Sequence, residues 1–143
     1  DNRWRHCDLK TISLVGNVLM RQLAADAGAV ETVMFRDGNL TEASASNVLV
    51  VIGAGIVAPP KDNLILPGIT YGATYEFAQE AGIPFAIRPV SKAEALGASE
   101  MWLTSSTKEV LAVTTVDGAP FAGGRPGPVF RKMHALFQAH KPR

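Results

Sequence analysis

Apolar and polar positions follow two rhythms along this chain. In residues 14–28, "LVGNVLMRQLAADAG", apolar side chains recur at Leu14, Val18, Leu19 and Leu23, the spacing of one helix face, and Gly28 supplies a glycine stop. The valine-rich segments "VETVMFRDG" and "SNVLVVIG" read instead as strands, separated by Asp37-Gly38 and the short-side-chain run "TEASAS". A second helix is announced by Leu66-Pro67-Gly68, runs through "ITYGATYEFAQEAG" and ends at Gly82. After the strand "PFAIRPV", "SKAEALGAS" opens with Ser91 and carries Glu94 three residues on, the capping-box spacing of a short helix. Then "EMWLTSSTKEVLAVTTVDG" predicts two strands around a Ser-Ser-Thr break. "APFAGGRPGP" reads as a connection, and "GPVFRKMHALFQAH" as an amphipathic helix with Phe130, Met133 and Phe137 on one side. Strands and helices are mixed throughout, so the expected fold class is mixed α/β (α+β).

Composition narrows the class of protein. A length of 143 residues suits one domain with its own core, and 47% hydrophobic with 19% charged residues is an ordinary soluble balance. The net charge of +1 gives no general pull towards nucleic acid or an anionic membrane, and no apolar run approaches a membrane span. Cys7 is the only cysteine, which excludes an internal disulfide and suits a reducing compartment, so a cytoplasmic location is expected. The start "DNRWRH" lacks the apolar core of a signal peptide, and the chain opens on Asp1 directly into patterned sequence. The expectation is a fragment whose upstream part is missing.

Candidate chemistry must therefore come from particular residues. "VLVVIGAGIVA" carries Gly53-x-Gly55-x-x-Ala58, the outline of a dinucleotide-binding turn, but that device needs a helix to follow and Pro59-Pro60 follow instead. The better expectation is a hairpin, with strand residues 48–52, a turn at 53–55 and a return strand at 56–58. Lys10, in "CDLKTISL", shares its parity with Ile12 and Leu14 if the segment is extended. A lysine among apolar residues ordinarily snorkels into water. Held in a dry pocket it would have a lowered pKa and an amine available to a carbonyl. Glu42, between a turn and a strand, is followed by Ala43, Ser44, Ala45 and Ser46, which leave room for a planar ring beside the carboxylate. A carboxylate facing a ring nitrogen keeps it protonated.

"LPGIT" is a candidate anion site, because the first amides of a helix are unpaired and Gly68 permits close approach. The hydroxyls of Ser105, Ser106 and Thr107 could complete such a cradle. His6, His134 and His140 have no metal-ligand spacing, and Ser13, Ser44 and Ser46 no nucleophile-elbow context, so no metal site and no serine hydrolase are expected. Trp4 and Trp102 lack the basic stripe of a nucleic-acid platform. Cys7 reads as a small buried hydrophobe.

Four segments in order, "RWRHCDLKTISLVGNVLMRQLA", "LTEASASNVLVV", "ILPGIT" and "WLTSSTKEVLAVTTVDG", closely resemble the class IV (fold type IV) pyridoxal-phosphate aminotransferases, most of all their D-amino acid branch. The resemblance covers nearly the whole chain. It implies the carboxy-terminal, cofactor-carrying domain of that fold over residues 1–143, the family's amino-terminal domain being absent. It implies pyridoxal 5′-phosphate anchored covalently on Lys10, which also shuttles a proton, with Glu42 paired to the ring nitrogen and Leu66 against the ring. Gly68, Ile69 and Thr70 would receive the phosphate, assisted by Ser105 or Ser106, with Ser44 and Ser46 contributing hydroxyl contacts.

Two departures stand out: Ala43 and Ala45 replace part of a serine-rich stretch, and Tyr71 stands where the family often has arginine. The implied reaction is transamination of D-alanine with 2-oxoglutarate to pyruvate and D-glutamate, its partners being amino acid and 2-oxo acid substrates. The intact enzyme is expected to be a homodimer, and this chain alone to turn over little or nothing. Branched-chain aminotransferase or aminodeoxychorismate lyase activity on the same fold is the alternative. A non-catalytic nucleotide-binding or interaction domain is the other.

Overall fold

In the computed structural model, which describes residues 5–12 and 14–140, helices and strands follow nearly in the expected order. They are α1 (Val15–Asp26), β1 (Val33–Arg36), β2 (Asn39–Ala43), β3 (Asn47–Ile52), β4 (Gly55–Ala58), α2 (Ile69–Glu80) and β5 (Phe85–Ile87). Then come α3 (Lys92–Leu96), β6 (Glu100–Ser105), β7 (Glu109–Ala112), β8 (Thr115–Val116), β9 (Ala119–Pro120) and α4 (Pro128–His140). The fold is mixed α/β. Trp4 and Ser13 lie outside the described residues.

The helix ends obey the local chemistry. Gly28 and Gly82 sit just beyond α1 and α2 at φ of +67° and +64°, a conformation that costs glycine little and other residues more. The amide after each glycine reaches back into the last turn, Ala29 N–H to the Ala24 carbonyl and Ile83 N–H to the Ala78 carbonyl, both at 2.8 Å. At α3 the capping box forms: Glu94 N–H donates to Ser91 Oγ at 3.2 Å, and Ser91 N–H donates to the Glu94 carboxylate at 3.0 Å.

β3 organises the sheet. Along one edge it pairs antiparallel with β6, from Asn47↔Thr104 to Val51↔Glu100. Its other edge is shared: β2 touches it only at Glu42↔Asn47, and β4 takes over at Val50↔Val57. The sheet therefore forks where β2 leaves β3. β4 also pairs parallel with β5, the two being joined through α2, so residues 56–58 are strand and open no helix. That geometry removes the dinucleotide reading of Gly53 and Gly55.

Both faces of β3 are covered, as its run of consecutive apolar residues requires. Leu49 and Val51 join Trp102, Ile56, Tyr71, Phe130 and Met133 in a core between the sheet and helices α2 and α4. Val48 and Val50 face the other way, onto Leu40, Val90, Met101 and Phe121. The apolar face predicted for the last helix is accordingly buried at Phe130 and Met133 and partly buried at Phe137.

The sequence pattern misplaces some features. Glu42 belongs to β2, a separate strand, rather than to a loop between a turn and a strand. The Gly/Pro connection before α4 opens with a short strand, β9, which pairs back onto β8 at the end of the preceding segment. The apolar stripe of α1 faces outward, with Val18, Leu19 and Leu23 each more than half exposed.

Buried Glu100 fastens α4 to the sheet. Its carboxylate accepts the Val129 and Phe130 amides at 2.9 and 2.7 Å and the Trp102 indole N–H at 3.0 Å. Any side chain at Gly127 would collide with that carboxylate, which accounts for glycine there. Glu100→Ala is expected to strand three donors, two of them buried, and to destabilise the fold by about 2–4 kcal/mol, read from urea unfolding.

Candidate active site

The fork between β2 and β3 is filled by the corner that leads into α2. Glu42, 5% exposed, accepts the Leu66 backbone N–H at 2.8 Å, while the Asn17 amide from α1 donates to its other oxygen at 3.4 Å. One residue pair further, Asn47 holds the same corner from the β3 side. Its amide nitrogen donates to the Leu66 carbonyl at 2.7 Å and its oxygen accepts the Gly68 N–H at 3.2 Å. A Cβ at residue 68 would meet that oxygen at 2.5 Å, so glycine is required by close approach. Asn47, which sequence reasoning missed, is thus the residue that seats "LPGIT".

The seat leaves an anion-competent helix end. Gly68 is the N-cap of α2 and brings no side chain to the first amides of the helix, which have no intrahelical partner. Thr70 is buried in this first turn, whereas Ile69 is 86% exposed. Directly across from Asn47 lies Thr104, whose buried hydroxyl has no hydrogen-bond partner among the described residues. An unsatisfied hydroxyl beside an uncapped helix N-terminus suits an anionic group. Tyr71 turns into the core and donates to the Pro59 carbonyl at 2.8 Å; burial pushes its pKa upward.

The hydroxyl run 44–46 is organised by a residue that no motif marks. Glu31, just before β1, has a side chain only 1% exposed. Its carboxylate accepts Ala45 N–H at 2.7 Å, Ser46 Oγ–H at 2.6 Å and Ser44 Oγ–H at 3.2 Å, and pairs with Lys108 at 2.6 Å. Burial acts to raise its pKa, but the Lys108 ammonium, Ser46 and the Ala45 amide outweigh it, and the carboxyl ends below its ordinary range. Lys108 belongs to the hairpin after β6, where its own N–H donates to Ser105 Oγ at 3.1 Å; Ser106 is exposed.

Lys10 is exposed in the segment before α1, so the dry pocket expected around it is not formed by the described residues. Its segment is nonetheless fastened near Glu42 at both ends. Cys7 N–H donates to the Asn63 carbonyl at 2.9 Å, and the half-buried Cys7 thiol has its pKa raised by burial and then by the Glu42 charge. On the other side Asn17 touches Glu42 itself. Three residues of chain from Cys7 span at most about 10 Å. The structure brings Glu42, Leu66 and Gly68 together directly and ties Ser44, Ser46 and Ser105 together through Glu31 and Lys108. Lys10 stands exposed in the segment between Cys7 and Asn17, with no direct bond to these groups among the described residues.

Known proteins give this arrangement of a buried carboxylate and an open helix end a family. The chain belongs to the amino-transferase class IV family, whose sequence profile matches residues 1–116. It is 38% identical over 138 residues to the D-alanine aminotransferase of Bacillus licheniformis, covering 96% of this chain and 49% of that protein. Among solved structures it resembles the branched-chain amino acid aminotransferase of Escherichia coli, with a TM-score of 0.84 and 26% identity over 89% of this chain and 43% of that one. The branched-chain amino acid aminotransferase of Thermobaculum terrenum, solved in its PLP-form, shares the fold at a TM-score of 0.86 and 23% identity over 93% and 44%. The chain spans about half the length of the curated relatives it matches.

Burial pushes the Glu42 carboxyl above its ordinary range, an effect that the Leu66 N–H, the Asn17 amide and the Arg36 charge offset only in part. A raised folded-state pKa means that the neutral acid stabilises the fold at low pH and that this contribution is lost as pH rises through the raised value. Glu42→Gln is therefore expected to raise the Tm of the cofactor-free protein at pH 7 and to lose that advantage as pH falls below the Glu42 pKa. Calorimetry across pH 4–8 reads the difference.

Proposed function

We propose that the intact protein is a pyridoxal 5′-phosphate-dependent aminotransferase acting on small D-amino acids, converting D-alanine and 2-oxoglutarate to pyruvate and D-glutamate. The observation that carries this reading is the buried Glu42 carboxylate, bonded to Leu66 N–H two residues before the open end of α2. When bound, pyridoxal 5′-phosphate supplies an aldehyde that joins an amine and a ring that takes up negative charge from the substrate's α carbon.

This chain's residues divide the work around it. Glu42 holds the proton on the ring nitrogen, which adds a positive partner to a carboxylate that burial disfavours. The Ile69 and Thr70 amides would receive the phosphate, with the Thr70 hydroxyl assisting, while Gly68, whose own N–H is held by Asn47, leaves the approach open. The unpartnered hydroxyl of Thr104 and the uncapped helix support a phosphate there. Leu66 would lie against the ring face. Lys10 would hold the cofactor covalently, and its amine would carry a proton between the substrate's α carbon and C4′.

The same reading has the 143-residue chain by itself turning over little, because Lys10 stands open to water. It also has the intact enzyme as a homodimer. Exposed apolar side chains at Leu9, Val15, Val18, Leu19 and Leu23 support a face that is covered in the assembled enzyme.

The preference for D-amino acids is supported by the likeness to D-alanine aminotransferases at 38% identity, and the structural likeness to branched-chain enzymes favours L-leucine as the competing substrate. In assays of the intact protein with 2-oxoglutarate, D-alanine is expected to turn over and L-leucine not; turnover of L-leucine alone overturns the choice. Lys10→Ala is expected to lower kcat by at least about 10²–10⁴-fold, the scale of a lost proton carrier.

A further inference from the structure

The hydroxyls of Ser44 and Ser46 lie close to Glu42 in the chain, yet both are spent elsewhere. A serine hydroxyl has one hydrogen to give. In Ser46 it is given to Glu31 at 2.6 Å and in Ser44 to Glu31 at 3.2 Å, while Ala45 N–H gives its own to the same carboxylate at 2.7 Å. None of these three donors is left to bind a phosphate or a ring oxygen. On its far side Glu31 pairs with Lys108, so one buried carboxylate spans the β2–β3 turn and the β6–β7 hairpin that carries Ser105. Arg21 of α1 adds a weaker charge contact at 3.9 Å.

We propose that Glu31 is a positioning residue for the cofactor site: it fixes the spacing between the 44–46 turn and the 105–108 hairpin, and Ser44 and Ser46 act through it rather than as cofactor donors. This rests on the cofactor reading above. The geometry gives the role content. Glu42 and Asn47 are the residues on either side of the 43–46 turn, and Ala43 N–H closes that turn onto the Ser46 carbonyl at 2.7 Å. A turn held on three donors keeps Glu42 and Asn47 paired, and these two residues seat Leu66 and Gly68. On the opposite edge of β3, the Glu31–Lys108 pair holds the hairpin beyond Thr104 against the same turn. Lysine fits as partner because its ammonium compensates a carboxylate that would otherwise be buried unpaired.

The test uses the intact protein with Glu31→Gln and Ser46→Ala, singly and together. It reads the dissociation constant of pyridoxal 5′-phosphate by absorbance titration, and hydrogen exchange at the Ala45 amide in the cofactor-free protein. Glu31→Gln is expected to weaken cofactor binding by about tenfold and to speed Ala45 exchange, the scale of a lost charged hydrogen bond. Ser46→Ala is expected to weaken binding alone but to add less than about twofold on top of Glu31→Gln, because the two act as one unit.

Equal losses from Ser46→Ala in both backgrounds would make the serine a direct donor and overturn the proposal. So would unchanged cofactor affinity in Glu31→Gln, even with faster Ala45 exchange, since the clamp would then be structural only. Absence of cofactor binding in the unsubstituted protein overturns the cofactor reading itself, an outcome distinct from either. Glu31→Asp, which keeps the charge and withdraws it by one methylene, serves where the glutamine variant does not fold and is expected to show the same pattern at smaller amplitude.

Discussion

The hydrogen bond from Leu66 N–H to the buried carboxylate of Glu42 joins two parts of the chain that the sheet itself keeps apart. β2 meets β3 at a single pair before diverging, and β4 takes the vacated edge. Into that fork comes the corner 66–68, which is irregular backbone and must find partners for its amides and carbonyls when buried. Glu42 serves the Leu66 N–H, and Asn47 serves the Leu66 carbonyl and the Gly68 N–H. The entry angle of α2, and with it the direction in which its open N-terminus points, follows from this seat. Burying an ionisable acid is costly, as the upward shift of the Glu42 pKa records. A protein that only needed a corner stapled could use an asparagine there, as it does at Asn47. The charge is the part that a stapling role does not require.

Where the chemistry is local, the sequence was a good guide. Gly28, Gly82 and the Ser91/Glu94 box mark helix ends because each satisfies orphaned backbone groups within a few residues, and the structure places all three where the pattern does. Pro59-Pro60 announced that Gly53 and Gly55 belong to a hairpin for an equally local reason, the lack of N–H donors for a following helix. Glu42 was singled out by its small neighbours and by resemblance, but its strand was not, since "NLTEA" is short and pairs with β3 at one residue only.

Long-range features were not legible. Glu31 sits in "VETVMFRDG" as one acidic residue in a strand-like run, and its partners are up to 77 positions away at Lys108. Asn47 reads as an ordinary strand start until the 66–68 corner is folded against it. The outward turn of the α1 stripe escapes periodicity altogether, because a helical pattern says that a face is apolar without saying what covers it.

Under the proposed reading, the site is well built where it would hold the ring nitrogen and the phosphate and open where Lys10 stands. Glu42, Asn47 and Glu31 are buried and multiply bonded, whereas Lys10 is exposed between two fastened points, Cys7 and Asn17. That asymmetry suits a reacting group that must let a substrate displace it and then move a proton, while the supporting groups stay fixed. The central claim is that this lysine and no other bonds to the cofactor. Borohydride trapping of the intact protein loaded with pyridoxal 5′-phosphate, followed by peptide mapping, tests it directly: the account predicts a stable pyridoxyl label on Lys10 alone, and a label on any other residue, or none, would contradict it.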